Sequence, residues 1–377
     1  MIGEFAVSRI PRLIVKDGGL ASIPELLVTE GVRTVAIVTG GRSFRASVHW
    51  ERLERELHER TIGLTTFSVS GEPSPSQIDG MAMAIRRDAP ETGTILAIGG
   101  GSVIDAGKAL AAAVTMEGGV VDYLEGVGTR NPPGTSLPVI AVPTTAGTGS
   151  EASRNAVLSS PSVDGFKKSL RHENFVPRIV VLDAELHLSC PESVTRASGL
   201  DAITQLLEAY VSTGASRMTD MVAVDGLRTA GVAYPRVLAD GSDIAARRAM
   251  AYASYLGGIA LANAGLGVVH GIASPLGGYT QIPHGVVCGL LVPESTEREL
   301  QQPGGPGKYA AAADALGTEV SRLVDLLREW AAPIPRLSEF GLTGDDLPVI
   351  AAKCSNKNQP TQFTVDQITA MLRAVLD

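Results

Sequence analysis

The sequence predicts an α/β domain built on a doubly wound, mostly parallel sheet, followed by an all-helical domain. The division is expected near residues 186 and 187, giving units of 1–186 and 187–377. Three observations lead there. Between residues 33 and 183, short apolar runs alternate with amphipathic segments. Most of those runs are continuous rather than alternating, as strands buried on both faces of a parallel sheet require. Beyond residue 187 the runs stop, and alanine-rich stretches with helical spacing take over. A length of 377 residues also exceeds what one ordinary core accommodates.

Taken in order, the strands are expected at 33–40 (RTVAIVTG), 65–71 (TTFSVSG), 94–101 (TILAIGGG), 137–145 (LPVIAVPTT) and 178–183 (RIVVLD). The segments 43–60, 76–89 and 103–115 are long enough to be crossover helices, so the series reads βαβ. In the second half, helices are expected over 192–212, 216–238, 243–265 and 267–279, and again over 308–330 and 365–376. The apolar stretch 251–269 has the length of a membrane span, but its glycines and alanines fit a tightly packed core helix.

Composition excludes several roles. The net charge of −8 disfavours a nucleic-acid or anionic-membrane surface. No run of uninterrupted apolar residues reaches membrane length, and the first residues lack the layout of a secretory signal. Three cysteines, Cys190, Cys288 and Cys354, stand far apart without a CxxC pair. That usage fits a reducing, cytoplasmic setting and buried thiols rather than disulfides or a zinc knuckle.

Two loops carry the first functional signal. Residues 94–111 read as a buried strand, three glycines (Gly99, Gly100, Gly101), Ser102, and a helix bearing Asp105 and Lys108. Glycines let a backbone approach a ligand, and the free N–H groups of the next helix favour an anion such as a dinucleotide pyrophosphate. The GxGxxG spacing is absent, and such a turn alone is equally a tight corner. A second loop, after the strand at 137–145, supplies Thr144, Thr145, Thr148 and Ser150. Two such loops at neighbouring strand ends would line a cleft with N–H and O–H donors.

The second signal is a candidate metal set. Asp201 and Gln205 lie four apart on one expected helix, hence on one face. Of six histidines, His49, His58, His172 and His187 are read as surface residues. His270 and His284 sit instead in glycine-rich apolar surroundings in the helical half. With Asp201 they form an Asp/His/His group of the type that binds Fe²⁺ or Zn²⁺.

Six blocks in order then show a likeness: GEPSPSQID, AIGGGSVIDAGKALA, VPTTAGTGSEASRNAV, SGLDAITQLLEAYVS, LANAGLGVVHGIASPLGG and IPHGVVCGLLVP. Together they resemble the iron-containing (group III) alcohol dehydrogenase family of the dehydroquinate-synthase-like superfamily, over nearly the whole chain. The resemblance implies a nucleotide domain, a helical domain and a metal between them. It also implies NAD(P)-dependent interconversion of a small alcohol with an aldehyde or ketone, and a homodimer or larger homo-oligomer.

In the family pattern the metal is held by an aspartate, a histidine four residues on, and two histidines fourteen apart. Asp201, His270 and His284 match; Gln205 does not. Ser274 also departs, standing where many members carry a further histidine. An amide oxygen is a poorer ligand than an imidazole, so Gln205 either completes an Asp201/Gln205/His270/His284 set of lower affinity or only hydrogen-bonds nearby. Lys167 occupies the place of a family cleft lysine, in reach of cofactor and substrate, and Ser274 or water is the candidate for the proton path.

Members that prefer NAD often carry an aspartate just after the first central strand. Here that spot is Gly40, followed by Gly41, Arg42 and Ser43, which favours a 2′-phosphate and so NADP(H) over NAD(H). Three other functions compete. A metal-independent reductase of maleylacetate type would anchor carboxylates on Arg154, Lys167 and Arg171. A cyclase or lyase like the dehydroquinate synthases, or a non-catalytic nucleotide sensor, would consume no NADPH.

Overall fold

The computed structural model describes residues 4–304 and 307–377. The first half runs β1 (Arg12–Val15), α1 (Ile23–Thr29), β2 (Thr34–Gly40), α2 (Val48–Glu59), β3 (Gly63–Val69), α3 (Pro75–Asp88), β4 (Thr94–Gly99), α4 (Gly101–Ala113), β5 (Val139–Pro143), β6 (Asn155–Ser160), β7 (Phe166–Arg171) and β8 (Ile179–Leu182). The second half is helical: α5 (Glu192–Val211), α6 (Arg217–Ala239), α7 (Ile244–Ala264), α8 (Val268–Tyr279), α9 (His284–Leu300), α10 (Gly307–Ala315), α11 (Leu323–Ala331), α12 (Asp346–Ala351) and α13 (Val365–Ala374). The expected fold class is borne out.

Six strands form one sheet in the order β1-β8-β5-β4-β2-β3, with every pair parallel. Alternate residues of a strand face opposite sides, so a sheet covered by helices on both faces needs apolar side chains at every position. In β2, Ala36 and Val38 pack on one face with Ile78, Ile85 and Leu110, while Val35 and Ile37 pack on the other with Leu27, Leu53 and Leu57. The chain leaves β2 for β3 on one side, then returns to β4 and proceeds through β5 to β8 on the other. The topological switch therefore lies at the carboxyl ends of β2 and β4, where such sheets bind ligands. Thr39 pairs with Ile98 there, which sets Gly40 beside the glycines that follow β4.

Several elements depart from expectation. Strand β1 was not foreseen, and β6 and β7 form a separate antiparallel hairpin. Helix α9 begins at His284 itself, and the stretch expected as one helix over 308–330 is broken into α10 and α11 around Gly317, whose φ is +79°. No single helix among the described residues is long and apolar enough to cross a membrane. The stretch 251–269 is split between α7 and α8, which meet at a bend of 98°.

The two halves are locked by close backbone approach. Gly149, in the loop after β5, has φ +58°, and a Cβ there would lie 2.5 Å from the Cα of Gly258 in α7 and 2.8 Å from the carbonyl oxygen of Ser254. The helical core cluster extends without a break onto Ala141 and Val180 of the sheet.

His187 corrects one expectation. It is buried, not on the surface, in a single turn after β8, and burial beside Arg247 pulls its pKa from 6.5 down to about 4 even though it donates to the Pro143 carbonyl. Between those two values the unfolded chain binds more protons than the folded one, so stability is complete above the unfolded pKa and falls with pH through this window. The contribution of this one group should reach about 3 kcal/mol by the acid end. Urea unfolding at stepped pH should show the slope, and His187→Gln should flatten it relative to the parent.

Candidate metal and dinucleotide cleft

The loop after β4 and the loop after β5 come together as expected. Thr144 N donates to Gly99 O at 3.0 Å, continuing the strand pairing into the loops. Asp105 Oδ1 accepts from Ser150 Oγ at 2.5 Å and lies 3.1 Å from Lys108 Nζ. Lys108 is wholly buried and also donates to Ser150 O at 2.8 Å and to Asn155 O. A buried ammonium is tolerated because it has these partners. The α4 pair Asp105 and Lys108 thus knits both loops and β6 into one unit.

The glycines of the first loop leave no room for side chains. A Cβ on Gly101 would lie 2.7 Å from Thr148 Cγ2, and one on Gly100 would lie 3.1 Å from Thr145 Oγ1. Helix α4 starts at Gly101 with no side-chain cap, so its first N–H groups are open to an anion. Gly101, Ser102, Asp105, Thr148 and Ser150 line one cavity, and Gln205, His270, Ser274 and His284 line the same cavity. Gly40, Arg42 and Ser43 lie at the end of β2; Arg42 and Ser43 are exposed, and a Cβ at Gly40 would meet nothing within 4 Å.

Opposite the sheet, α5, α8 and α9 bring Asp201, His270 and His284 together. Asp201 Oδ1 lies 3.3 Å from His270 Nε2 and 3.8 Å from His284 Nε2. Cys288, one helical turn after His284, joins them: its Sγ is 3.7 Å from each of the two Nε2 atoms. One donor atom from each of these four residues falls within 4.8 Å of all the others.

Two residues that the sequence reading passed over hold this geometry. Glu208, buried on α5 seven residues after Asp201, receives His270 Nδ1 at 2.7 Å on one oxygen and Val269 N at 2.7 Å on the other. Gln359 Oε1 accepts from Val268 N at 3.0 Å. Helix α8 begins after Gly267, which offers no capping side chain, and these two residues satisfy its first amides. With Nδ1–H on Glu208, His270 turns Nε2 into the cleft, the orientation that metal-binding histidines take from such a partner. The signal was available: Asp201, Gln205 and Glu208 stand at i, i+4 and i+7 on one helical face.

Gln205 Nε2 donates to Gly147 O at 3.0 Å, leaving Oε1 buried with no hydrogen-bond partner. Asp201 Oδ1 and His284 Nδ1 are likewise without one. Of these, Asp201 Oδ1 stands among the two imidazoles and the thiol, and together they are a donor set suited to a divalent cation.

The groups of the cluster also shift one another's protonation. Burial pushes Asp201 up, but the adjacent His284 and His270 outweigh it and hold its carboxyl at about 2. Burial works against protonated His270, yet Cys288, Glu208 and Asp201 raise it well above 6.5. His284 is drawn down to about 3 by burial and by Lys167, and burial lifts the Cys288 thiol to about 12.

Lys167, on β7, is buried in the cleft rather than on the surface, and its ammonium pairs with Glu72. Ser274 Oγ donates to His270 O at 3.3 Å and faces the same cavity. The other cations considered as carboxylate anchors are already paired, Arg154 with Glu173 and Arg171 with Glu125.

Known proteins share this architecture. Residues 11–184 match the family described as iron-containing alcohol dehydrogenase, and residues 195–376 match the C-terminal part of the Fe-containing alcohol dehydrogenase family. Alcohol dehydrogenase 4 of Saccharomyces cerevisiae is 32% identical over 333 residues, spanning 85% of this chain and 86% of the yeast protein. The crystal structure of a 1,3-propanediol oxidoreductase superposes with a TM-score of 0.87 at 28% identity, covering 99% of this chain and 100% of that one. The sulfoacetaldehyde reductase of Bifidobacterium kashiwanohense, solved with NAD⁺, gives a TM-score of 0.87 at 25% identity, covering 100% and 99%. The fold is thus shared along with the sequence, and the chain belongs to the iron-containing alcohol dehydrogenase family.

Proposed function

We propose that the chain reduces a small aldehyde or ketone with NADPH, and oxidises the corresponding alcohol with NADP⁺, in the cavity between its two halves. The observation that carries this is the shared lining of one cavity by the glycine loop and by His270 and His284. Residues 1–186 act as the nucleotide unit and 187–377 as the metal and substrate unit. The pyrophosphate rests on Gly99, Gly100, Gly101 and Ser102, at the open end of α4. Thr144, Thr145, Thr148 and Ser150 supply donors along the second loop, and Asp105 holds that loop through Ser150.

Asp201, His270 and His284 would hold Fe²⁺ or Zn²⁺, with Gln205 lining the same cavity. Such an ion supplies Lewis acidity to the carbonyl oxygen on which negative charge grows during hydride transfer. The protein's own groups do the rest. Glu208 keeps His270 in the required tautomer. The Lys167 ammonium adds positive potential to the cavity in which the alkoxide forms. The Ser274 hydroxyl, exposed to that cavity, passes the proton between substrate oxygen and solvent. The carboxylates paired with Arg154 and Arg171 weigh against a carboxylate-anchored, metal-independent reductase.

The preference for NADP(H) rests on Gly40, Arg42 and Ser43. With no carboxylate at position 40 to receive the ribose hydroxyl, and a cation and a hydroxyl beside it, a 2′-phosphate finds donors and no repulsion. Arg42→Ala should lower kcat/KM for NADPH about tenfold, the worth of one charge-assisted bond, and leave NADH nearly unchanged. Comparable efficiency of the parent with NADH would reject the preference.

Net oxidation of NADPH by a panel of aldehydes tests the reading as a whole. Turnover without net consumption would indicate a cyclase-like reaction, and binding without turnover a sensor. Assembly as a homodimer has one support: Phe5, Val7 and Ile10 are exposed on the segment that leads into the edge strand β1, an apolar strip that a second copy would cover. Sedimentation at micromolar concentration decides it.

A further inference from the structure

Cys288 is buried beside Asp201, His270 and His284, and its position answers the question raised by Gln205. In a tetrahedral site, metal–nitrogen and metal–oxygen bonds of about 2.0–2.1 Å and a metal–sulfur bond of about 2.3 Å put the donors about 3.3–3.6 Å apart. The separations here are 3.3 and 3.8 Å from Asp201 Oδ1 to the two imidazoles, and 3.7 Å from Cys288 Sγ to each of them. Four of the six donor–donor separations thus already stand within a few tenths of an ångström of the spacing that one ion would impose, and all six are within 4.8 Å.

Helix geometry explains how this arises. His284 opens α9, and Cys288 follows four residues later on the same face, so both point at α5 and α8. Gly289 beside it allows α9 to pack closely on α5, since a Cβ there would lie 3.1 Å from Leu200 Cδ1. Meanwhile the amide of Gln205 is oriented by Gly147, and its oxygen is a neutral, hard donor. A thiolate is the stronger ligand, and it selects zinc over iron more sharply than an oxygen does.

We propose that Cys288 is a metal ligand of this chain, completing an Asp201/His270/His284/Cys288 set in place of one with a third histidine, and that its thiolate biases the site toward Zn²⁺. Binding converts the thiol to a thiolate and releases its proton to solvent. Asp201 and Cys288 together then neutralise the divalent charge, which suits a site buried between helices. Gln205 remains a neighbour of the site, held through its amide nitrogen by Gly147 O, and is not a metal ligand. The inference rests on the metal-assisted reading of the cleft, and the experiment separates the two.

The probe is Co²⁺, added to chelator-treated full-length protein with NADP⁺ present, and the readout is the absorption spectrum. Bound Co²⁺ shows visible ligand-field bands, and a thiolate ligand adds an intense near-ultraviolet charge-transfer band. The expected result is both sets of bands in the parent. In Cys288→Ser the charge-transfer band should vanish while the ligand-field bands persist, with Co²⁺ affinity reduced at least tenfold. Cys354→Ser should keep both. Ligand-field bands without a charge-transfer band in the parent, or a charge-transfer band that survives in Cys288→Ser, would overturn the proposal and leave a metal site without Cys288. No Co²⁺ bands at all, in protein that still binds NADPH, would overturn the metal-assisted reading itself. NADPH binding by Cys288→Ser and Cys288→Ala reports that each variant is folded.

Discussion

Glu208→Ala should destabilise the protein by about 3–5 kcal/mol, the usual consequence of removing one partner from a buried pair. It should also weaken metal binding about 10- to 100-fold, as loss of a histidine's outer partner does elsewhere. Both effects come from one carboxylate that does two jobs. One oxygen satisfies the first-turn amide of Val269, and the other receives His270 Nδ1. Without it, an amide and an imidazole N–H are left buried and unpaired, and a cavity opens between α5 and α8.

Glu208→Gln separates the jobs. The amide keeps the volume and can still accept from Val269 N through its one oxygen. Its NH₂ then faces His270 and favours the tautomer with Nδ1 unprotonated, which places the proton on Nε2, where a metal would bind. Stability close to the parent, with metal affinity still reduced, is the expected pattern. Urea unfolding and a Zn²⁺ titration measure the two quantities. If Glu208→Gln bound Zn²⁺ as tightly as the parent, orientation of His270 by Glu208 would be of no consequence to the site.

Much of this was legible in the sequence, and the failures have physical causes. Strands β2, β4, β5 and β8 were visible because both faces of each are buried, so all their residues but three threonines, Thr34, Thr39 and Thr94, are apolar. Strand β1 is a four-residue edge strand with both its end residues exposed, too short to set a pattern. In the β6–β7 hairpin, buried and exposed positions are mixed along strands that carry Lys167, Lys168 and Arg171, and the charged residues hide the strand signal. Helix α9 contains Gly285, Gly289 and Pro293, poor helix formers whose place is decided by close packing on α5.

The site followed the same rule. Asp201, His270 and His284 announced themselves because imidazoles are rare in this chain and these two sit in apolar surroundings. Glu208 looked like one carboxylate among many on helices, and Cys288 like an isolated buried thiol. What makes them functional is where α8 and α9 cross α5, which is a property of tertiary packing. Helical spacing alone, i+7 from Asp201 and i+4 from His284, could have nominated both.

Two adjacent glycines of α7 should respond oppositely to the same substitution. Gly258→Ala places a methyl group inside the carbonyl oxygen of Gly149 and 3.0 Å from Ala152 Cβ, with backbone on one side and a packed side chain on the other. Neither can yield as the tip of a flexible side chain would, so α7 and the loop must part, at about 3 kcal/mol or more. The displaced loop carries Thr148 and Ser150, so NADPH binding should weaken as well. Gly257→Ala meets only ordinary contacts, 3.7 Å to Ala202 O, Gln205 Cβ and Leu206 Cγ. There the better helix propensity of alanine should dominate, leaving the protein unchanged or stabilised by up to about 1 kcal/mol. Thermal unfolding and NADPH fluorescence titration of both variants make the comparison. Equal effects at the two positions would mean that the backbone approach at Gly149 and Gly258 does not hold the nucleotide loop against the helical half. A loss confined to Gly258 would locate the joint between cofactor and metal units at that single contact.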